Sequence, residues 1–372
     1  MAEKYSTGWG DIRAYMDWSM VVVTLVLLCC GIAAIYSASS SFANGAAVSS
    51  FVLRQMAWGT MGAVLYILVL KADYRNVMRF AWPLFAAIIA IFILLLVAGH
   101  TAKGSQRWFN LGFFRFQPSE LGKVIFALTL AKLCSALPPH NIKGIGAALL
   151  AAASVISLIM LQPDLGSALV YAAMLAAVFV AAGTPAKILA AMAAAGAAML
   201  PLGWLILKPY QRMRLLVFLD PMIDPQGAGY NVIQSRIAVG SGGLFGKGFM
   251  RGTQGKLHFL PEPHTDFIFS VFSEEFGFIG ATIVILLFAV LLWRILSVSL
   301  YTRDLRAKLM CVAIAAWLWF QIMESVAMSM GLAPVTGLPL PLFSYGGSSL
   351  LVIAIGLGLV QSVNIVARKE RF

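Results

Sequence analysis

Asp266 stands where a polar, proline-containing stretch, LPEPHTD, passes directly into the apolar run FIFSVFSEEFGFIG. A carboxylate at such a junction has water on one side and hydrocarbon on the other. Partial desolvation of that kind strengthens a carboxylate as a proton acceptor and suits it to general-base chemistry. The same position equally suits an Asp that only complements the positive end of a helix.

Three more acids lie in apolar surroundings. Glu120 and Lys123, in FQPSELGK, are three residues apart and share a face if the segment is helical, so that their charges cancel, as charges inside a membrane must. Such a pair either fixes helix register or lines a polar cavity. Asp164, in LQPDLGS, falls where two apolar runs meet, and Pro163 and Gly166 mark a broken or tightly turned connection there. Irregular backbone at membrane depth needs protein or a water-filled cavity around it. Glu324, in WLWFQIMESVAM, has no partner nearby in sequence and reads as an inward-facing, structural hydrogen-bond donor. His100, His140, His258 and His264 are scattered without metal-ligand spacing, and His264, beside Asp266, reads as structural. No phosphate-binding P-loop, GxSxG elbow or dinucleotide fingerprint is present, which argues against a nucleotide-driven pump or an esterase.

The elements that must position these residues follow from composition. Of 372 residues, 60% are hydrophobic and only 11% charged, outside the range of water-soluble domains. The fold class is all-α: a polytopic integral membrane protein. One crossing needs about 20 apolar residues, and suitable runs occur near 17–37, 51–70, 78–98, 119–137, 144–161, 165–182, 187–207, 266–296, 309–330 and 345–367. Cys29, Cys30, Cys134 and Cys311 lie within these runs and read as buried thiols, with neither a disulfide framework nor a zinc site. An even number of spans places both termini on one side. Loops bearing Lys71, Arg75, Arg79, Lys143, Lys187, Arg303, Arg306, Lys308, Arg368, Lys369 and Arg371 share that side, which the positive-inside rule makes cytoplasmic.

The long connection at about 208–265 is then extracytoplasmic. It is itself basic, with Lys208, Arg212, Arg214, Arg236, Lys247, Arg251 and Lys256, and long loops escape the charge rule. One reason for such a loop is an anionic head group such as a pyrophosphate, held by charge-assisted hydrogen bonds; solvation, or contact with lipid phosphates, explains the charges equally well. Its glycine-rich part, GSGGLFGKG, offers either backbone N–H groups for an anion or an ordinary flexible turn. The net charge of +12 is spread over loops between apolar spans, which points to anionic membrane lipid and not to nucleic acid.

The strings GSQRWFNLGFFRFQPSELGK, LQPDLGSAL, YQRMRLLVFLDPMIDPQGAGYNVIQSRIAVGSGGLFGKG, GTQGKLHFLPEPHTDFIFSVFSEEFGFIG and PLPLFSYGGSSLL together resemble the SEDS family (shape, elongation, division and sporulation). They run in family order over nearly the whole chain, and GTQGKLHFLPEPHTDFIF with the short termini is closer to the elongation branch than to the division branch. The resemblance implies one SEDS membrane domain over residues 1–372, with ten transmembrane helices in a multi-pass protein of the bacterial inner membrane. It further implies a peptidoglycan glycosyltransferase that polymerises lipid II on the outer face, beside a class B penicillin-binding protein and other membrane proteins of the elongation complex. By resemblance the acid of HTDF, Asp266, is catalytic. Arg107, Trp108, Glu120, Lys123 and Asp164 match further family motifs.

The chemistry agrees with the residues. A sugar hydroxyl that attacks a pyrophosphate-linked anomeric carbon needs a base, supplied by Asp266. The leaving pyrophosphate needs cations, for which Arg212, Arg236, Lys247 and Lys256 are candidates. A divalent cation such as Mg or Mn could bridge the pyrophosphate, although no ligand cluster in the sequence marks a metal site. Two other classes fit the same residues: a lipid II flippase, which also needs a polar cavity with a basic mouth, and a non-catalytic scaffold that activates the penicillin-binding protein.

Overall fold

The computed structural model describes residues 8–39, 50–98, 100–102, 105–110, 115–255, 257 and 259–371. A short helix, α1 (Trp9–Tyr15), precedes α2 (Trp18–Ser39) and α3 (Ser50–Lys71). The short α4 (Tyr74–Arg79) leads into α5 (Ala81–Ala98), and three strands follow: β1 (His100–Ala102), β2 (Ser105–Asn110) and β3 (Arg115–Phe116). Next come α6 (Pro118–Ala136), α7 (Ile142–Leu161), α8 (Leu165–Ala181) and α9 (Ala186–Ile206). Two shorter helices, α10 (Pro209–Leu219) and α11 (Ala228–Ser241), precede α12 (Ile268–Tyr301), α13 (Leu305–Met330) and α14 (Gly347–Lys369).

The expected apolar runs match α2, α3, α5–α9 and α12–α14 within a few residues. Among the described residues, 7 of these helices are long and apolar enough on their own to cross a membrane. α5 and α8 are apolar but shorter, and α6 carries Glu120, Lys123 and Lys132. Its position explains the tolerance for charge. α6 packs against α5, α7, α8, α13 and α14, and its buried residues lie on every face, as expected of a helix enclosed by others. Around it, α13 also contacts α8 and α12, α14 packs on α3, and α12 packs on α2. α9 stands at the margin, with none of its described side chains buried.

Three features differ from the sequence expectation. The segment around Arg107 forms a small antiparallel sheet in the order β1-β2-β3, whose β2 carries the bulky Trp108 and Phe109, residue types that favour a strand. The long connection is not only loop: it folds into α10 and α11, each with helix-forming residues ahead of its glycine-rich part. Among the cysteines, Cys134 and Cys311 are buried, but Cys29 is exposed and Cys30 half-buried, since α2 buries a single stripe and turns its other side outward.

The connections gather at one end. Arg107 reaches Gln162, Arg214 reaches Val335, and Tyr345 bonds His264. At the opposite end α1 and the last turn of α14 meet through Lys369 and Asp11, 2.8 Å apart. There Asp17 also holds Arg294, joining α2 to α12 at 2.5 Å.

Candidate functional site

Asp266 lies in the turn before α12, half-buried. The cap position of that helix is Phe267, so Asp266 stands one residue outside it and is not the capping residue. Its neighbours are pinned from a distant part of the chain. The Tyr345 N–H donates to the His264 carbonyl at 2.9 Å, and Ser344 Oγ donates to the Thr265 carbonyl at 2.7 Å. The His264 ring packs on Phe51 with centroids 4.4 Å apart and meets the edge of Tyr345 at 5.8 Å. His264 therefore holds the turn in place, as read from the sequence.

Facing Asp266 is an extended strap, residues 331–340, between α13 and α14. Pro334 and Pro339 deny it the N–H groups that would continue a helix or form a ladder. Gly331 starts it in the left-handed conformation (φ 71°, ψ 26°) that ends α13, an arrangement natural to glycine. Its carbonyl accepts from Arg236 Nη2 at 2.8 Å. Further along, Arg214 Nη1 donates to the carbonyls of Val335 at 3.1 Å and Thr336 at 3.5 Å. Thr336 Oγ1 donates to Glu324 Oε1. Gly337 comes next, at φ 80°, and a Cβ there would lie 3.5 Å from Asp266 Oδ2. The strap thus touches Arg214 and Asp266 at consecutive residues.

The buried charge pair is tied to the same strap. Lys123 Nζ and Glu120 Oε1 are 2.5 Å apart, with side chains 0% and 2% exposed. Gln321 Oε1 receives Lys123 Nζ at 3.4 Å and Trp317 Nε1 at 2.6 Å, while its amide donates to the Pro339 carbonyl at 3.1 Å. The pair joins α6 to α13, as the register reading expects, and through Gln321 it is linked to the strap; it is not among the residues that line the cleft at Arg107.

Asp164 caps α8, accepting from the Ser167 N–H at 3.2 Å and Ser167 Oγ at 2.8 Å. Arg107, on β2, donates to the Gln162 carbonyl at 3.2 Å and to the Pro163 carbonyl, with Nη1 3.7 Å from Asp164. Trp108, next along β2 and half-buried, points to the other face of the strand. A cleft opens here, lined by Arg107, Gly166, Tyr210, Arg214 and Thr336. A Cβ on Gly166 would lie 3.0 Å from Thr336 Cβ, so glycine is what lets α8 approach the strap.

The other basic candidates are engaged elsewhere. Arg212 turns back to the Leu205 carbonyl at 2.8 Å, which Pro209, lacking an N–H, cannot serve. Arg236 holds the start of the strap. Lys247 pairs with Glu274 at 2.7 Å. Lys256 lies outside the described residues. The glycine-rich loop also has a different task. α12 is interrupted at Gly277 (φ 66°, ψ −166°), and the loop completes the hydrogen bonds lost there. Lys247 and Gly248 donate to the carbonyls of Glu274 and Glu275 at 3.0 and 2.9 Å, and Phe278 and Ile279 donate to Gly243 and Leu244 at 2.8 and 3.1 Å. Those loop N–H groups are consumed by the helix, not offered to an anion.

Sequence reasoning passed over Glu274, Glu275, Thr336 and Gly337, and did not single out Arg214 from the other loop cations. Glu274 is fully buried and receives Lys247, Thr253 and Gln254; Glu275 receives Ser37. Two adjacent acids inside an apolar helix were the available signal. Glu324, expected to be a donor, accepts from Thr336, a partner too far along the chain to be visible in sequence. Among the described residues no group of three or more His, Cys, Asp or Glu side chains is placed to hold a metal ion.

Residues 17–369 match the family model of the FtsW, RodA and SpoVE cell cycle proteins. The chain is 36% identical over 356 residues to the peptidoglycan glycosyltransferase MrdB of Escherichia coli strain K12, covering 95% of this chain and 94% of that protein. Among solved structures it resembles a chain of a peptidoglycan synthase complex, reported for its coordination of polymerization and crosslinking. That match has a TM-score of 0.80 and 35% identity, covering 96% and 98% of the two chains. It also resembles the rod shape determining protein RodA of Thermus thermophilus, with a TM-score of 0.71 and 31% identity over 94% and 97% of the two chains.

Proposed function

This chain belongs to the SEDS family, that of FtsW, RodA and SpoVE, and from that premise we propose that it is a peptidoglycan glycosyltransferase that polymerises lipid II during cell-wall elongation. The observation that carries the site assignment is the strap. It holds Arg214 at Thr336 and meets Asp266 at Gly337, bringing a carboxylate and a guanidinium to neighbouring positions beside a cleft that also contains Arg107.

In this reading Asp266 accepts the proton of the acceptor sugar hydroxyl as its oxygen attacks the anomeric carbon of the donor. The new C–O bond replaces the bond to the lipid pyrophosphate, which leaves with the electron pair. Arg107 and Arg214 face the growing negative charge on the leaving group, as guanidinium groups suit phosphate oxygens. The lipid tails lie along the apolar outer surfaces of the helices. The site is on the outer face and both termini are cytoplasmic, supported by the basic loops at the end where α1 meets α14 and by the positive-inside rule. The partner is a class B penicillin-binding protein that cross-links the strands, a reading supported by the synthase complex to which the chain is similar.

The test is to incubate the purified chain, with and without that partner, with labelled lipid II and to separate the glycan products. The parent should form polymer. Positioned general bases contribute roughly 10²–10⁴-fold, so Asp266→Asn should lose at least about 10²-fold of the rate while still binding the partner. Near-normal polymer from a folded, partner-bound Asp266→Asn protein would reject the assignment and favour a flippase or a scaffold.

A further inference from the structure

Glu324 is unused by the mechanism, yet it lies beneath its centre. It sits in the C-terminal part of α13, only 8% exposed. Its Oε1 accepts from Thr336 Oγ1, and it lies within electrostatic reach of both Asp266 and Arg214. Its Oε2 is buried with no hydrogen-bond partner. A buried carboxylate with one oxygen unsatisfied costs stability, and such a cost persists where geometry serves a function.

Thr336 is where that geometry converges. Its carbonyl receives Arg214, its side chain packs on Gly166 at the head of α8, and the next residue, Gly337, faces Asp266. A strap with proline at 334 and 339 cannot anchor itself through its own backbone ladder, so its position at Thr336 depends on what holds it from below. We propose that Glu324 is a positioning residue of the transfer site. By gripping Thr336 through its hydroxyl, it fixes the spacing between Asp266 and Arg214. This inference rests on the assignment of Asp266 as the base.

The test uses the full chain bound to its penicillin-binding partner, with labelled lipid II, reading kcat, KM and the thermal midpoint for each variant. Glu324→Gln keeps an oxygen that accepts from Thr336 and should stay within about threefold of the parent. Glu324→Met and Thr336→Val each remove the grip. Misplacement by about 1 Å costs about 10²-fold in rate, so each should lower kcat roughly 10- to 10²-fold with KM and thermal midpoint little changed. The double variant should be no worse than the poorer single one, since both remove the same bond. Thr336→Val is nearly isosteric and decides the matter if Glu324→Met fails to fold. Parent-like kcat in Thr336→Val, equal loss in Glu324→Gln and Glu324→Met, or multiplicative losses in the double variant would each overturn the proposal. Asp266→Asn runs alongside: if it is inactive while Thr336→Val is normal, only the role of Glu324 falls, whereas an active Asp266→Asn removes the base assignment itself.

Discussion

Removing one member of the Glu120–Lys123 pair should cost much more than removing both. The side chains are 2% and 0% exposed, so neither charge can turn to water when its partner is lost. Breaking a buried ion pair from one side typically costs about 3–5 kcal/mol, whereas replacing both members with neutral groups is often close to neutral. The structure also orders the single variants. In Glu120→Gln, Lys123 keeps a weak contact with Gln321 Oε1 at 3.4 Å and gains the new amide oxygen as an acceptor. In Lys123→Met, Glu120 keeps its charge with Oε2 already unpartnered and no cation in place of the lysine. Lys123→Met should therefore be the worse, near the upper end of that range, and Glu120→Gln nearer the lower. Because Gln321 links the pair to Pro339, polymerisation should fall with stability. The assay is a double-mutant cycle on the detergent-purified chain, reading reversible unfolding by tryptophan fluorescence and polymer formation on the same samples. The coupling energy should exceed about 2 kcal/mol, towards the upper part of the range seen for contacting residues. Additive costs, or parent-like stability in both single variants, would refute the reasoning.

Further expectations are as direct. Gly277→Ala puts a Cβ 2.3 Å from the Gly246 nitrogen at a positive φ; strain and overpacking of about 1–3 kcal/mol each should lower the thermal midpoint and abolish polymer, and an unchanged midpoint would contradict the described break in α12. Arg214→Gln removes a charge-assisted donor worth about 1.5–3 kcal/mol, so kcat/KM for lipid II should fall by roughly 10- to 10²-fold; an unchanged value would take Arg214 out of the substrate cleft. In a cysteine-free parent, a single cysteine at Gly243 should react with an impermeant maleimide added outside cells, while one after Arg368 should not. The reverse pattern would place the site on the wrong face.

The helices were legible because a membrane-spanning run announces itself by length and apolarity alone; even α6, which carries Glu120, Lys123 and Lys132, was found as the run 119–137, and the i, i+3 spacing then paired its first two charges. Asp266 was visible as an acid at a polar-to-apolar junction. The strap was not. Its residues are unremarkable singly, and its importance comes from contacts with Arg214, Gln321, Glu324 and Asp266, which lie 10 or more positions away in the chain. The basic residues were hard to sort for a similar reason: Lys247 contacts Glu274 and Arg236 the Gly331 carbonyl, and charge counting cannot tell a guanidinium that faces a cleft from one that caps a helix. The glycine-rich loop read equally as an anion-binding segment or a flexible turn, and nothing local showed the third use, an interrupted helix that claims its N–H groups.

The interruption of α12 also bears on how the protein is made. At 1.5 Å per residue, an unbroken helix of its 34 residues would measure about 51 Å, against about 30 Å of hydrocarbon. Residues 278–301 alone reach roughly 36 Å by the same rise, enough for a crossing, so the insertion machinery need recognise only that stretch as a membrane stem. The first piece, residues 268–276, carries Glu274 and Glu275 and would be a poor substrate for lateral release into lipid. It is completed by residues 243–248, which no spanning helix separates from it and which supply the missing backbone bonds. That contact spans only about thirty residues and so closes quickly. The half of α12 that follows Asp266 is thus completed by a loop that always travels to the same side with it, so this part of the fold can close without waiting for any other spanning helix to be placed.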